Sequence, residues 1–279
     1  MSFYPHNVDY APPVSPKGGG RAVAGAKLAD LLKYEVTPQT ASTTCLHAAK
    51  TLSAPVGKVA EASGRVLALA QVSDTILTLT TNTTLAVGDV LKDAAKAEWV
   101  KVTSVANKPA YDVERAYHGT ALATHAPGAT WDLVAQEVAV TLLAAELAAC
   151  PQLVQIKGVG GTLAGDVHVV GTDITGAALD ETIALNAAAA VPSVNAFKSV
   201  SRYIVPLQVA GSDSVSLGVT KSIGLPWGVV SADYVLVKLF DGSADTGGTV
   251  TYDADLSKCL YVPAGSPNGS KKVVLFIAN

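Results

Sequence analysis

The sequence predicts an all-β protein, and three observations predict it. Apolar residues make up 49% of the chain but are carried mainly by Ala and Val, with only 4 Phe, 3 Trp and 1 Met. Together with plentiful Thr, Ser and Gly, that mixture suits a pleated surface better than a helix. Segment after segment alternates with a two-residue period, with turn residues between them. Charged residues are only 15% of the chain, against about 25% in ordinary soluble domains. A chain that covers much of its surface with partners tolerates so little charge.

At roughly 100–200 residues per domain, 279 residues predict two domains, with one or three as alternatives. The net charge is −3 and the pI about 5.9. No basic stripe is present, so no nucleic-acid partner is expected. No apolar run approaches the ~18 residues of a membrane span, so no membrane partner is expected either. Met1–His6 lacks the basic-then-apolar order of a secretory signal. Cys45, Cys150 and Cys259 are far apart and odd in number. They read as separate buried thiols of a protein made in a reducing cytoplasm.

The elements follow in order. Residues 1–46 read as irregular: Pro5, Pro12, Pro13 and Pro16 each restrict the residue before them, and Gly18–Gly20 is a hinge. A short helix is expected over Val23–Tyr34, where Leu28, Leu31 and Leu32 share a helical face. Ordering such a segment costs about 1 kcal/mol per residue in backbone entropy, which a neighbouring surface must offset. The candidate partner-binding residues are therefore in this arm: Phe3, Tyr4, Pro5, Tyr10, Pro12 and Pro13. Aromatics and prolines bury area there at low entropic cost.

Residues 65–133 read as a small β-barrel or compact sheet. Thr75–Thr80 is a strand, Val87-Gly88-Asp89-Val90 a turn entering a strand, and Glu98–Val105 an alternating strand with Trp99 on the face opposite Val100 and Val102. Asn107–Pro109 is a turn, and Tyr111–Arg115 alternates again. Residues 134–279 read as a two-sheet sandwich of seven or eight strands. These are Glu137–Leu142, Asp166–Asp173 and Asp180–Leu185 (a hairpin about Ile174–Gly176), Phe197–Val205, Ser214–Val219, Tyr234–Leu239 and Lys272–Ile277. The run Leu142–Ala149 has helix propensity and is expected to form at most a short helix.

No phosphate loop, zinc spacing or nucleophile elbow is present, and Gly158-Val159-Gly160-Gly161 reads as a turn. His118 and His125 lie in a turn-rich stretch, and a structural role is expected for both. Asp180 with Glu181, and Asp253 with Asp255, are candidate carboxylate pairs for glycoside cleavage, which needs the two groups facing each other. Asp173, Asp180 and Glu181 are candidate calcium ligands without the spacing of an EF-hand loop. Solvated turn carboxylates are the preferred reading. No catalytic residue, cofactor or metal is expected, and the chain is not expected to be an enzyme.

Two stretches resemble known virion proteins. The first comprises Val87–Val90, Glu98–Val102, Val113-Glu114-Arg115-Ala116-Tyr117-His118-Gly119-Thr120 and Ala123–Ala129. It resembles a small β module recurrent in tailed-bacteriophage virion proteins, closed by a "V-x-R-G-x-x-G-T…A-H-x-x-G" tail. Ala116 stands where Gly is usual. The second, "GDVHVVGTDITGAALDETIALN" (165–186), "NAFKSVSRYIVP" (195–206) and "SVSLGVTKSIGLPW" (214–227), resembles phage head-associated structural proteins. His47-Ala48-Ala49-Lys50-Thr51 matches the "H-A-A-x-T" strand with which those begin. That strand precedes the first module and the rest follows it. The resemblance thus implies a small β-barrel-like domain, 65–133, inserted into a β-sandwich domain of 45–64 and 134–279, with 1–44 as an extended N-terminal arm. It further implies a capsid decoration (cement) protein on the virion surface, made in the host cytoplasm. Its partners would be the major capsid protein and further copies of itself, as a homo-oligomer such as a trimer. A tail, tail-tip or head-fibre component is the alternative within the virion. A carbohydrate-binding surface module is the alternative outside that class, disfavoured by the scarcity of aromatics.

Overall fold

The computed structural model describes residues 31–51, 59–60, 75–79, 85–126, 128–140, 147, 149–160, 163–186, 189–207, 213–226 and 231–278. The candidate arm residues Phe3, Tyr4, Pro5, Tyr10, Pro12 and Pro13 lie outside them, as do residues 141–146. The protein is all-β, with 59% of the described residues in strands. The strands of the first half are β1 (Leu31–Val36), β2 (Ser42–Thr51), β3 (Val59–Ala60), β4 (Ile76–Thr78), β5 (Asp89–Asp93), β6 (Trp99–Asn107), β7 (Ala110–Glu114) and β8 (Thr130–Ala139). Those of the second half are β9 (Gln152–Val159), β10 (Asp166–Asp173), β11 (Ala178–Ala184), β12 (Val191–Pro206), β13 (Ser214–Gly224), β14 (Val235–Phe240), β15 (Ser243–Ala244), β16 (Thr249–Thr251), β17 (Leu260–Val262) and β18 (Val273–Ala278). Pairing is antiparallel throughout, in a 14-stranded sheet and a 4-stranded one.

Strand β12 organises the large sheet. Its first half pairs with β9 and its last residues with β8, while β10 runs along it from Phe197 to Ile204. Sheet order β2-β13-β9-β12-β10-β11 curls around one core of small apolar side chains. Leu46 from one edge strand and Ile183 from the other meet Val154, Ile156, Val167, Val169, Phe197 and Leu217 in the same cluster. His47 of β2 reaches Tyr203 of β12, ring centroid to ring centroid 5.5 Å. This is the Val/Ile/Leu core expected of a thin β domain. The β10–β11 hairpin is the one read from the sequence. Asp173 closes its turn by accepting from the backbone N–H groups of Thr175 and Ala177.

The first module has its own core of Leu77, Leu79, Leu91, Val100, Val102, Tyr111, Val113, Trp131 and Leu133. Its order is β3-β8-β5-β6-β7-β4. Among the described residues β3 and β4 are not paired, so the closed barrel expected from the sequence is not seen there. Strand β8 runs without a break through the boundary expected at 133/134. Its first part pairs with β5 and its last part with β12. A fourth apolar cluster, Val90, Tyr117, Ala135 and Ile204, fills the seam between module and sandwich. Gly88 is needed where β5 begins. Its φ is +94°, and a Cβ there would stand 2.7 Å from the Glu137 carbonyl oxygen.

Three expectations are corrected. The end of the segment expected as helix, Leu31–Tyr34, is strand: β1 pairs in full register with β18, Leu31 opposite Ala278 and Val36 opposite Val273. A partner strand more than 200 positions away outweighs a weak local propensity. The same pairing brings the stretch from Leu31 onward into the folded body, within the region expected as arm. Gly158 and Val159, expected in a turn, are the last residues of β9, paired with β13. The bend starts at Gly160. A Cβ on Gly158 would meet Leu163 at 2.4 Å, so the glycine serves packing there.

The small sheet, β1-β18-β14-β15, packs its inner face on the end of the large one. Val273, Leu275, Ile277 and Val235 join Cys150, Ile223, Cys259 and Tyr261 in a third core. The thiols are free, with Cys150 and Cys259 buried and Cys45 half-buried. Burial pushes the Cys150 thiol up to about 12.

Candidate functional site

The outer face of the small sheet is the first candidate. Along β18, Val273, Leu275 and Ile277 face the core, while Val274, Phe276 and Ala278 are half-buried on the other side. The register places Val237 beside Phe276 and Leu239 beside Val274. A register shift between Val235 and Val237 turns two consecutive residues outward, Leu236 at 60% exposure and Val237 at 41%. Tyr234, just before β14, is 41% exposed. The flank of this apolar centre is polar: Glu35 on β1 takes Lys33 at 2.6 Å and Lys272 at 2.8 Å. Hydrogen bonds from Lys272 and then Lys33 hold its carboxyl down at about 2. At one end, Ser231, Asp233, Tyr234, Leu236 and Ala278 line a shallow groove. Leu31 is paired with Ala278, so the chain enters the sheet beside that groove.

The second candidate is the carboxylate of Glu98, fully buried ahead of β6. Arg115 donates to it twice, from Nε at 2.7 Å and Nη2 at 2.8 Å. The N–H groups of Ala116 and Ala123 add 2.9 and 2.7 Å bonds. His125 completes the set: Nε2 is 2.8 Å from Glu98, and Nδ1 is 2.7 Å from Asp93. Burial raises the Glu98 pKa, but the hydrogen bonds from Arg115, His125 and the two backbone groups outweigh it and hold it at about 2. Both oxygens accept hydrogen bonds from several donors and the side chain has no exposed surface, so this cluster is a clasp. It ties the 115–125 loop to β5 and β6. Arg115 and His125 are thus structural, as expected of His125.

The third candidate lies on the seam. The chain reverses at Tyr117–Gly119, a single 3-10 turn in which Ala116 (φ 51°), His118 (φ 55°) and Gly119 (φ 74°) are all left-handed. Thr120 anchors the turn to β6 by accepting from the Trp99 N–H at 3.0 Å and donating to the Tyr117 carbonyl at 2.9 Å. Tyr117 points into the seam and donates to Glu137, which Lys101 and Arg202 also approach, at 3.4 and 3.3 Å. His118 points across to the β10–β11 hairpin. Its ring stacks near Trp99 at 6.1 Å and meets the His168 ring edge-on at 4.5 Å. The Asp180 carboxylate lies beside both rings, with Oδ2 3.5 Å from His118 Nε2 and Oδ1 3.7 Å from His168 Nδ1. Thr182, opposite His168 in the hairpin register, shares a 3.1 Å hydrogen bond with Nδ1. Burial lowers the His118 pKa. Asp180 opposes that, and His168 and Arg202 add to it, leaving the net shift downward.

The carboxylates singled out in the sequence do not converge. Asp180 and Glu181, neighbours on β11, point to opposite faces, and Glu181 is buried under the N–H groups of Val194 and Asn195. Asp253 and Asp255 cap the turn leading to β17, Asp253 accepting from the Asp255 N–H and Asp255 from the Ser257 N–H. Hydrogen bonds from the Ser257 side chain and backbone lower the Asp255 pKa. Asp173, the last residue of β10, caps the hairpin turn, whereas Asp180 and Glu181 lie within β11. The three do not form a calcium shell. The convergence of His118 with His168 and Asp180 had no sequence signal, since it depends on the pairing of β8, β12 and β10.

Comparison of the chain with family models, with curated proteins and with solved structures returns no match.

Proposed function

We propose that this chain is a structural protein of a tailed-bacteriophage virion, which binds and reinforces the capsid shell as a decoration protein. The observation that carries the reading is the outer face of the four-stranded sheet. An antiparallel sheet with water on one side alternates polar residues outward. This one presents Val237, Leu239, Val274 and Phe276 in its middle, with Leu236 and Tyr234 at its end. Such a face fits a protein surface laid against it. The chain enters the sheet at Leu31, opposite Ala278 and beside that face, and in this reading the preceding segment bearing Phe3, Tyr4, Pro5, Tyr10, Pro12 and Pro13 adds a second contact to the same partner. Two linked weak contacts raise each other's effective concentration. The partners are the major capsid protein and other copies of this chain. The low charge content and the two motif resemblances support the same reading.

The test is reconstitution on mature capsids stripped of the chain. The intact protein is expected to saturate them at hundreds of copies. Deletion of residues 1–20, and separately Val237→Asp, is expected to weaken binding at least tenfold. Unchanged affinity of both variants would overturn the docking argument. Saturation at a few to a few dozen copies would move the protein to the tail.

A further inference from the structure

We propose that His118, His168 and Asp180 form a binding site for a transition-metal ion of the zinc class, which fastens the first module to the sandwich. The argument starts from distance. The three ligand atoms lie within 4.8 Å of one another, and the Asp180 carboxylate comes to 3.5 Å from His118 through Oδ2 and to 3.7 Å from His168 through Oδ1. Those contacts are longer than the 2.7–3.2 Å of a hydrogen bond. They are close to the separation of about 3.3 Å between ligands around a tetrahedral zinc with bonds of about 2.0–2.1 Å. Two imidazoles and one carboxylate are also the donor set that suits zinc and its neighbours over calcium or magnesium.

Backbone and accessibility agree with this. His118 is a non-glycine residue in left-handed conformation, two positions after another, Ala116. Such conformations persist where surrounding contacts over-determine them. Here the result is that one ring leaves the module and meets two donors on the sandwich. The side chains of His118, His168 and Asp180 are 15%, 27% and 45% exposed, so an ion can enter and keep water in its remaining position. Arg202, whose charge acts on His118, is opposed by Glu137 at 3.3 Å. Ligation through His168 Nδ1 releases the hydroxyl of Thr182, which is exposed and can turn to water.

The experiment uses the full chain, freed of metal by a chelator and titrated with zinc ion alone in a calorimeter. One ion per chain is expected, with a dissociation constant in the micromolar range or below and a rise in the thermal midpoint. His168→Ala and Asp180→Asn are each expected to weaken binding at least tenfold, and His47→Ala to leave it unchanged. Asp180 is exposed, so Asp180→Asn keeps the test valid even where His168→Ala fails to fold. Absence of zinc uptake by the intact chain would overturn the proposal. So would uptake that survives Asp180→Asn undiminished, or uptake of calcium in preference to zinc.

Discussion

Glu98→Gln is expected to destabilise the protein by about 3–5 kcal/mol, the cost of leaving one member of a buried ion pair without its partner. The structure explains why the figure is large. Glu98 has no exposed surface and the Arg115 side chain is 3% exposed, so water cannot take over. The substituted amide also points an NH2 group at donors: Arg115, His125 and the N–H groups of Ala116 or Ala123. A second route gives a similar size. The carboxyl falls from an ordinary 4.5 to about 2, and at about 1.4 kcal/mol per unit this corresponds to roughly 3 kcal/mol of stability. The folded-state pKa is depressed, so this stability is present above the unfolded value near 4.5 and is lost as pH falls towards 2. Urea unfolding followed by tryptophan fluorescence reads the effect directly, because the Trp131 ring lies 4.6 Å from that of His125. Measured at pH 7 and again at pH 3, the gap between parent and variant should be large at the first and mostly closed at the second. Other depressed carboxylates, such as Asp173 and Asp255, act equally in both proteins and cancel. A loss below about 1 kcal/mol at pH 7, or a gap that does not narrow with acid, would refute the clasp.

Two further outcomes are expected. Ala116→Gly should raise stability by up to about 1 kcal/mol, since φ is 51° there and only glycine avoids the left-handed penalty; a lower urea midpoint would contradict the strain. In native protein at pH 8, a thiol reagent should reach half-buried Cys45 first. Buried Cys150 and Cys259 should react only after unfolding, and rapid reaction of all three would mean that the third core opens.

Strands with one wet face were legible. In β6 and β7, buried Val100, Val102, Tyr111 and Val113 alternate with more exposed neighbours, and the β10–β11 hairpin carries its own turn signal in Asp173 to Gly176. Strand β9 was not: three buried residues in a row, Gln152 to Val154, precede the alternation of Val154–Val159, and Gly158 near its end reads as a turn residue. Strand β1 was misread for another reason: six residues with leucines at helical spacing carry little local information, and β18 decides them. Of the polar clusters, Arg115 and His125 stood out in a motif, yet Glu98, which explains both, looked like one more polar residue at the head of a strand. His168 and Asp180 are brought to His118 by register alone, and a register set by distant pairings leaves no spacing in the sequence.

The two polar clusters have different consequences because of where they sit. The Glu98 clasp is internal to the module and would stabilise it in isolation. The His118 cluster spans the seam, where β8 already joins the two parts by backbone pairing with β5 on one side and β12 on the other. Val90, Tyr117, Ala135 and Ile204 pack between them. A shared strand and a buried seam make the module a rigid extension of the sandwich rather than a bead on a linker. An ion held by His118, His168 and Asp180 would therefore not be needed to bring the two together. It would resist the one motion the seam leaves weak, the lifting of the Tyr117–Gly119 turn off the hairpin, because β6 and the hairpin are not paired. In the proposed role, in which the chain reinforces a shell under outward load, an added fastening there would slow local opening.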